Sequence, residues 1–145
     1  MREKFGGSMK KEVRQKVYEK YGHCCAYCGC YITYKEMQVD HIKPKGRGQP
    51  ESLIKLMGIE TGNDSIENYN PSCRPCNFRK GMLTIEQFRD VIKKSTKILD
   101  NNFTYRFAKR HNRIAEIIAP VEFHFEIEPE KRMLLEKLVR ERHEV

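Results

Sequence analysis

Two Cys-x-x-Cys pairs, Cys25-Ala-Tyr-Cys28 and Cys73-Arg-Pro-Cys76, set the tightest limit on how this chain can fold. Two residues between cysteines let one turn aim both sulfurs at a single ion, and zinc takes four such ligands in a tetrahedron at about 2.3 Å. The spacing predicts a structural zinc held by Cys25, Cys28, Cys73 and Cys76. The 44 residues between the pairs are too many for a small zinc finger. The knot instead ties the start of a domain to a helix far downstream. Structural zinc sites supply folding free energy on the order of 10–16 kcal/mol in small peptides, so loss of a ligand should collapse the region. Cys24 and Cys30 are left over and read as idle thiols. Cys24 and His23 are rival ligands to Cys25, but only Cys25 keeps the Cys-x-x-Cys spacing.

A chain of 145 residues with no tryptophan and 33% charged residues builds one domain around a small core. Such cores often need a staple, and structural zinc is a common one. The net charge is +8, and seven acids against five bases fall in residues 121–145. The remaining body is strongly basic, which suggests a polyanion partner. Met1-Arg-Glu-Lys4 is charged where a signal segment would be apolar. No run of about 20 apolar residues exists to span a membrane. A reducing cytosol is the expected compartment, and there paired cysteines mean metal more often than disulfide. Gly6-Gly7-Ser8 reads as an appended scar before a native start at Met9.

Along the chain, Val13, Val17 and Tyr21 mark a helix over residues 9–21, stopped by Gly22. Gln38 to Ile42 is a short β-prone stretch. Residues 43–67 form a long connection, with a short helix at 51–57, and connections of this length in compact domains are commonly functional. Ile66 to Asn70 reads as a second strand, and a helix runs from near Arg74 to Gly81. Thr84-Ile-Glu-Gln87 is a capping box for a helix over 85–99, followed by a helix over 103–118. Residues 121–128 alternate apolar and polar and predict a half-buried strand with His124 on its polar face. That strand would offer an edge for a second chain. A last helix follows Pro129.

Between the knuckles lies Asp40-His41, and Asn77 directly follows the last cysteine. A phosphodiester hydrolase needs a base for water and a cation for the phosphate. Histidine suits the base because its pKa lies near neutral. An aspartate oxygen and an asparagine carbonyl suit a hard divalent ion. Each residue alone has a simpler explanation as a turn, a cap or a satisfied polar group. Their order around two cysteine knuckles is what separates them from those readings.

Here the chain strongly resembles the HNH endonuclease family. The resemblance rests on Cys25-x-x-Cys28, Asp40-His41-Ile42-x-Pro44, Glu67-Asn68 and Cys73-x-x-Cys76-Asn77-x-x-Lys80-Gly81, over about residues 21–83. It implies an α+β protein with a ββα-metal core and a structural zinc. A helix at 9–20 would precede the core at 21–83, and a helix-helix-strand-helix extension at 84–145 would pack on it. By this resemblance His41 is the general base, and Asp40 and Asn77 hold one catalytic Mg or Mn ion. Asn68 steadies the loop that orients His41, with Asn70 its rival for that role. Many relatives have histidine where this chain has Asn77. The implied function is metal-dependent hydrolysis of DNA phosphodiesters to 5′-phosphate products. The setting would be the cytoplasm of a bacterial or phage-infected host cell, and the protein a monomer or homodimer. The alternative is a zinc-stabilised nucleic-acid-binding module without catalysis. Lys43, Lys45 and Arg47 after the histidine, and Arg74, Arg79 and Lys80 around the second knuckle, would grip the phosphates.

Overall fold

A computed structural model describes residues 9–46, 49–58 and 60–144. The scar reading at residues 6–8, and Arg47, lie outside the described residues. The elements in chain order are α1 (Lys11–Glu19), β1 (Gln38–His41), α2 (Glu51–Leu56), β2 (Tyr69–Ser72), α3 (Arg74–Lys80), α4 (Ile85–Lys93), α5 (Ser95–Leu99), α6 (Phe103–Arg110) and α7 (Pro129–His143). Short 3-10 turns cover Ile66–Asn68 and His124–Glu126. None of the helices described is long and apolar enough to cross a membrane.

β1 and β2 pair antiparallel, with Asp40 opposite Asn70 and His41 opposite Tyr69. The β2 strand starts three residues later than the pattern of Ile66–Asn70 suggests, because Ile66–Asn68 closes a turn that brings the chain back to β1. Pro71 sits in β2 opposite Val39, and its carbonyl accepts a hydrogen bond from Ala26 N at 2.8 Å. A proline there costs no ladder bond because the strand lies at an edge. α1 lies on this hairpin. Arg14 donates to the carbonyls of Tyr34 and Met37, and Lys20 Nζ donates to Tyr69 O at 2.7 Å.

The core gathers Val17, Tyr18, Cys25, Tyr27, Ile32, Met37, Tyr69, Phe88 and Phe123. Tyr27 is its centre. The ring meets Phe88, Phe123 and Phe125 edge-on, at centroid distances of 5.5, 5.4 and 6.0 Å. α4 starts on the expected capping box: Thr84 Oγ1 accepts from Gln87 N while Gln87 Oε1 accepts from Thr84 N. The helix expected over 85–99 is two, α4 and α5, and α6 stops at Arg110 where 118 was expected.

The strand expected over 121–128 does not form. His124 N donates to Tyr27 O and Phe125 N to Ala26 O, and the chain then turns. Phe123 and His124, neighbours in sequence, are both buried, which an extended strand with one solvated face cannot achieve. The alternating pattern instead encodes a docking segment that lays two phenylalanines on Tyr27. With no strand there, the edge for a second chain is lost too. Glu126 accepts from Phe123 N at 2.9 Å and pairs with Arg89 of α4 at 2.5 Å. His124 in turn meets Glu136 of α7 at 3.2 Å, and Arg132 lies 3.4 Å from the same carboxylate. Gly29 of the first knuckle holds φ +72, and a side chain there would press on His124 at 3.0 Å.

Phe123 therefore fastens the C-terminal segment to the knuckle. Phe123→Ala should lower stability by about 3–5 kcal/mol, read from urea unfolding, with a loss below 1 kcal/mol showing that the segment is peripheral.

Candidate active site

The first knuckle is a tight turn in which Cys25 N donates to Cys30 O and Gly29 N to Cys25 O. The second is the entry to α3, with Cys73 at the N-cap and Cys76 in the first turn. Their Sγ atoms all lie within 4.8 Å of one another, and Cys28 and Cys73 are 3.8 Å apart. Sulfurs on a zinc tetrahedron with bonds of about 2.3 Å are about 3.8 Å apart, so the cluster suits a structural zinc. All six cysteines are free thiols. Cys24 is buried beside Gly22 O, outside the cluster, and burial pushes its thiol up to about 11. The spacing argument for Cys25 over Cys24 and His23 agrees with this placement. The His23 ring stacks on Tyr18 at 4.2 Å.

Tyr27, between the two ligands of the first knuckle, reaches past the core and donates its hydroxyl to Asp40 Oδ2. Lys80 Nζ lies 2.9 Å from the same oxygen and donates to His41 O at 2.7 Å. Asp40 is 5% exposed and Lys80 0%. Burial raises the Asp40 carboxyl above the usual range, with the charge of Lys80 opposing. Both contacts fall on Oδ2. Lys80 was expected to grip phosphates, but the fold forbids it. Its side chain is enclosed, and its charge is spent on Asp40 and the β1 backbone.

Asp40, His41 and Asn77 line one cleft of about 270 Å³, with Pro44, Lys45, Gly46, Gly81 and Met82. Asn77 arrives there because α3 packs on β1 and Cys76 fixes the turn. Asp40 and Asn77 offer carboxylate and amide oxygens, the donor types that hard divalent ions take. Asn70, the rival to Asn68, is fully buried in β2, with Tyr21 Oη 3.4 Å from its Oδ1.

Asn68 ties the loop together. Its Oδ1 accepts from Lys43 N at 2.9 Å, and its Nδ2 donates to Lys43 O and Asn63 O at 3.1 and 2.9 Å. Gly62 passes so close that a Cβ would collide with the Lys43 carbonyl and the Asn68 amide. Asn68 thus clamps the chain two residues past His41 against the segment at 62–63.

One site residue escaped the sequence reading. Asp64 Oδ1 lies 2.9 Å from His41 Nε2 and accepts from Tyr69 Oη at 3.0 Å, while Lys45 pairs with Oδ2. Lys45 first, then His41, holds this carboxyl well below the usual carboxylate range. No local motif marks Asp64. Its only signal is membership of a long loop that begins and ends at the site.

The basic residues divide. Lys43 is paired with Glu60 at 2.7 Å, and Lys45 borders the cleft. Arg74 and Arg79 are exposed. Arg79 sits about 200° around α3 from Asn77 and lines a groove with Phe88, Val91 and Ile92, away from the cleft.

Residues 25–82 match the HNH family, described as HNH endonuclease. The matched segment is about two fifths of the chain and holds both cysteine knuckles, β1, β2 and α3. Its two-stranded sheet, the following helix and the four-cysteine cluster are consistent with the ββα-metal fold of that family. Among solved structures, the chain is similar to the Type II-C Cas9 enzyme from Actinomyces naeslundii, at 20% identity and a TM-score of 0.42. The match covers 88% of this chain and 12% of that one, so the chain spans a small part of that enzyme. No curated protein matches it.

Two outcomes follow. The purified chain should hold one zinc, retained in Cys24→Ser and lost with cooperative unfolding in Cys76→Ser, as read by metal analysis and calorimetry. Lys80→Met strands a buried carboxylate and should cost about 3–5 kcal/mol. Asp40→Asn combined with it should recover much of that loss in the same denaturation assay.

Proposed function

We propose that the chain is a metal-dependent endonuclease that hydrolyses DNA phosphodiesters, with His41 as general base. The observation that carries this reading is the single cleft lined by Asp40, His41 and Asn77 within an HNH domain. In it His41 accepts the proton of a water beside the scissile phosphate. Asp40 and Asn77 would hold a Mg or Mn ion through oxygen. When bound, the ion supplies charge neutralisation at the phosphate and the leaving 3′ oxygen. Asn68 keeps the loop behind His41 in register. Lys43, Lys45 and Arg74 position the backbone without reading sequence. Zinc is structural, and DNA is the partner, engaged by a monomer or homodimer.

A second reading, a nucleic-acid-binding module without catalysis, draws on Lys80, whose ammonium already stands at a cation position on Asp40. Plasmid cleavage separates the two. Wild type should cut supercoiled plasmid with Mg²⁺ or Mn²⁺ and not with EDTA, and His41→Ala should cut at least about 100-fold more slowly. Equal rates would remove His41 from the chemistry. Affinity should fall by about one log unit per log unit of salt for each phosphate engaged.

A further inference from the structure

We infer that Asp64 is the positioning residue for His41, fixing the ring proton on Nε2 so that Nδ1 is the nitrogen left to accept a proton. The inference rests on the reading of His41 as the base.

The two histidine nitrogens are chemically distinct, and the partner of one decides which carries the proton. At 2.9 Å, Asp64 Oδ1 is the partner of Nε2. A carboxylate only accepts, so the proton lies on Nε2. Carboxylates orient metal-bound imidazoles in the same manner. The carboxylate is itself held in place. Tyr69, the cross-strand partner of His41, has its ring edge-on to the imidazole at 5.0 Å and 79°. Its hydroxyl donates to the same Oδ1 at 3.0 Å. Lys45 secures the second oxygen. Asn68 closes the arrangement, since its amide bonds the carbonyls of Lys43 and Asn63, two residues past His41 and one before Asp64. His41 also borders two cavities. One is shared with Asp64, Ile66 and Tyr69, the other with Asp40 and Asn77. A ring anchored on the first side stays available to the second. Asp64 is half exposed, but Tyr69 of the core donates to it, so urea unfolding of each variant separates a folding defect from loss of the ring anchor.

The test compares wild type, Asp64→Ala and Asp64→Glu as full-length chains labelled with ¹⁵N in histidine. In wild type, His41 should show a protected Nε2–H proton coupled to its ring ¹⁵N. Asp64→Ala should lose that signal and cut plasmid about 100-fold more slowly at saturating DNA, with KM and Mn²⁺ affinity unchanged. Asp64→Glu should restore both in part. A wild-type proton on Nδ1, or an Nε2–H signal that survives Asp64→Ala, overturns the inference. So does a loss of Mn²⁺ binding in Asp64→Ala with the signal intact, since Asp64 would then be a metal ligand. Failure of the nuclease reading shows separately, as a wild type that holds the Nε2–H proton yet cuts nothing.

Discussion

The four-thiol cluster carries the architecture because it closes two segments far apart in sequence, beside the single backbone bond from Ala26 N to Pro71 O. Its first knuckle supplies Tyr27, whose ring centres the aromatic core and whose hydroxyl ends on Asp40. Its second knuckle begins α3, the helix of Asn77 and Lys80. A small core could not hold these groups to the accuracy that a reaction needs. A metal tetrahedron can, because its bond lengths and angles do not yield to side-chain repacking. The sheet is too short to fold alone, and it becomes a fixed platform only because α1, the knuckle and α3 press on it from three directions.

The electrostatics around Asp40 work against bulk solvation. A buried carboxylate resists ionising, and a buried ammonium is equally costly unless the two are paired and hydrogen-bonded. Lys80 and Tyr27 meet that condition on a single oxygen. Lys80 also bonds the His41 carbonyl, so one side chain fixes the His41 backbone and the neighbouring carboxylate together. A lysine with such a role is part of the frame that sets Asp40, however much its charge suggests DNA.

The sequence made some of this readable and left the rest dark, for physical reasons. Cys25, Cys28, Cys73 and Cys76 were legible because tetrahedral ligation imposes a spacing that few other needs produce. The order of Asp40, His41 and Asn77 relative to those cysteines suggested that they share a cleft, as they do, and the Thr84–Gln87 box was legible through local hydrogen bonding. Asp64, the burial of Lys80 and the reach of Tyr27 were not, since each depends on a partner far along the chain. Residues 121–128 misled because the alternation that suits a strand also suits a segment with Phe123 and Phe125 pressed on one ring. What distinguishes the two is whether a free partner strand exists, and the knuckle backbone at Ala26 and Tyr27 offers only two hydrogen bonds.

α3 presents a thiol of the four-cysteine cluster, a candidate metal ligand and a buried counter-charge at positions 76, 77 and 80. Each residue of a helix turns the next by about 100°. One inserted or deleted residue between Cys76 and Lys80 would rotate the downstream groups out of register together, and no side-chain adjustment spans that arc. The connection between β1 and β2 obeys the opposite rule, because Asn68 seals its base near Lys43 and leaves the distal part outside the sealed ring. Length variation among relatives should therefore gather in that connection, while the seven residues of α3 keep a fixed count.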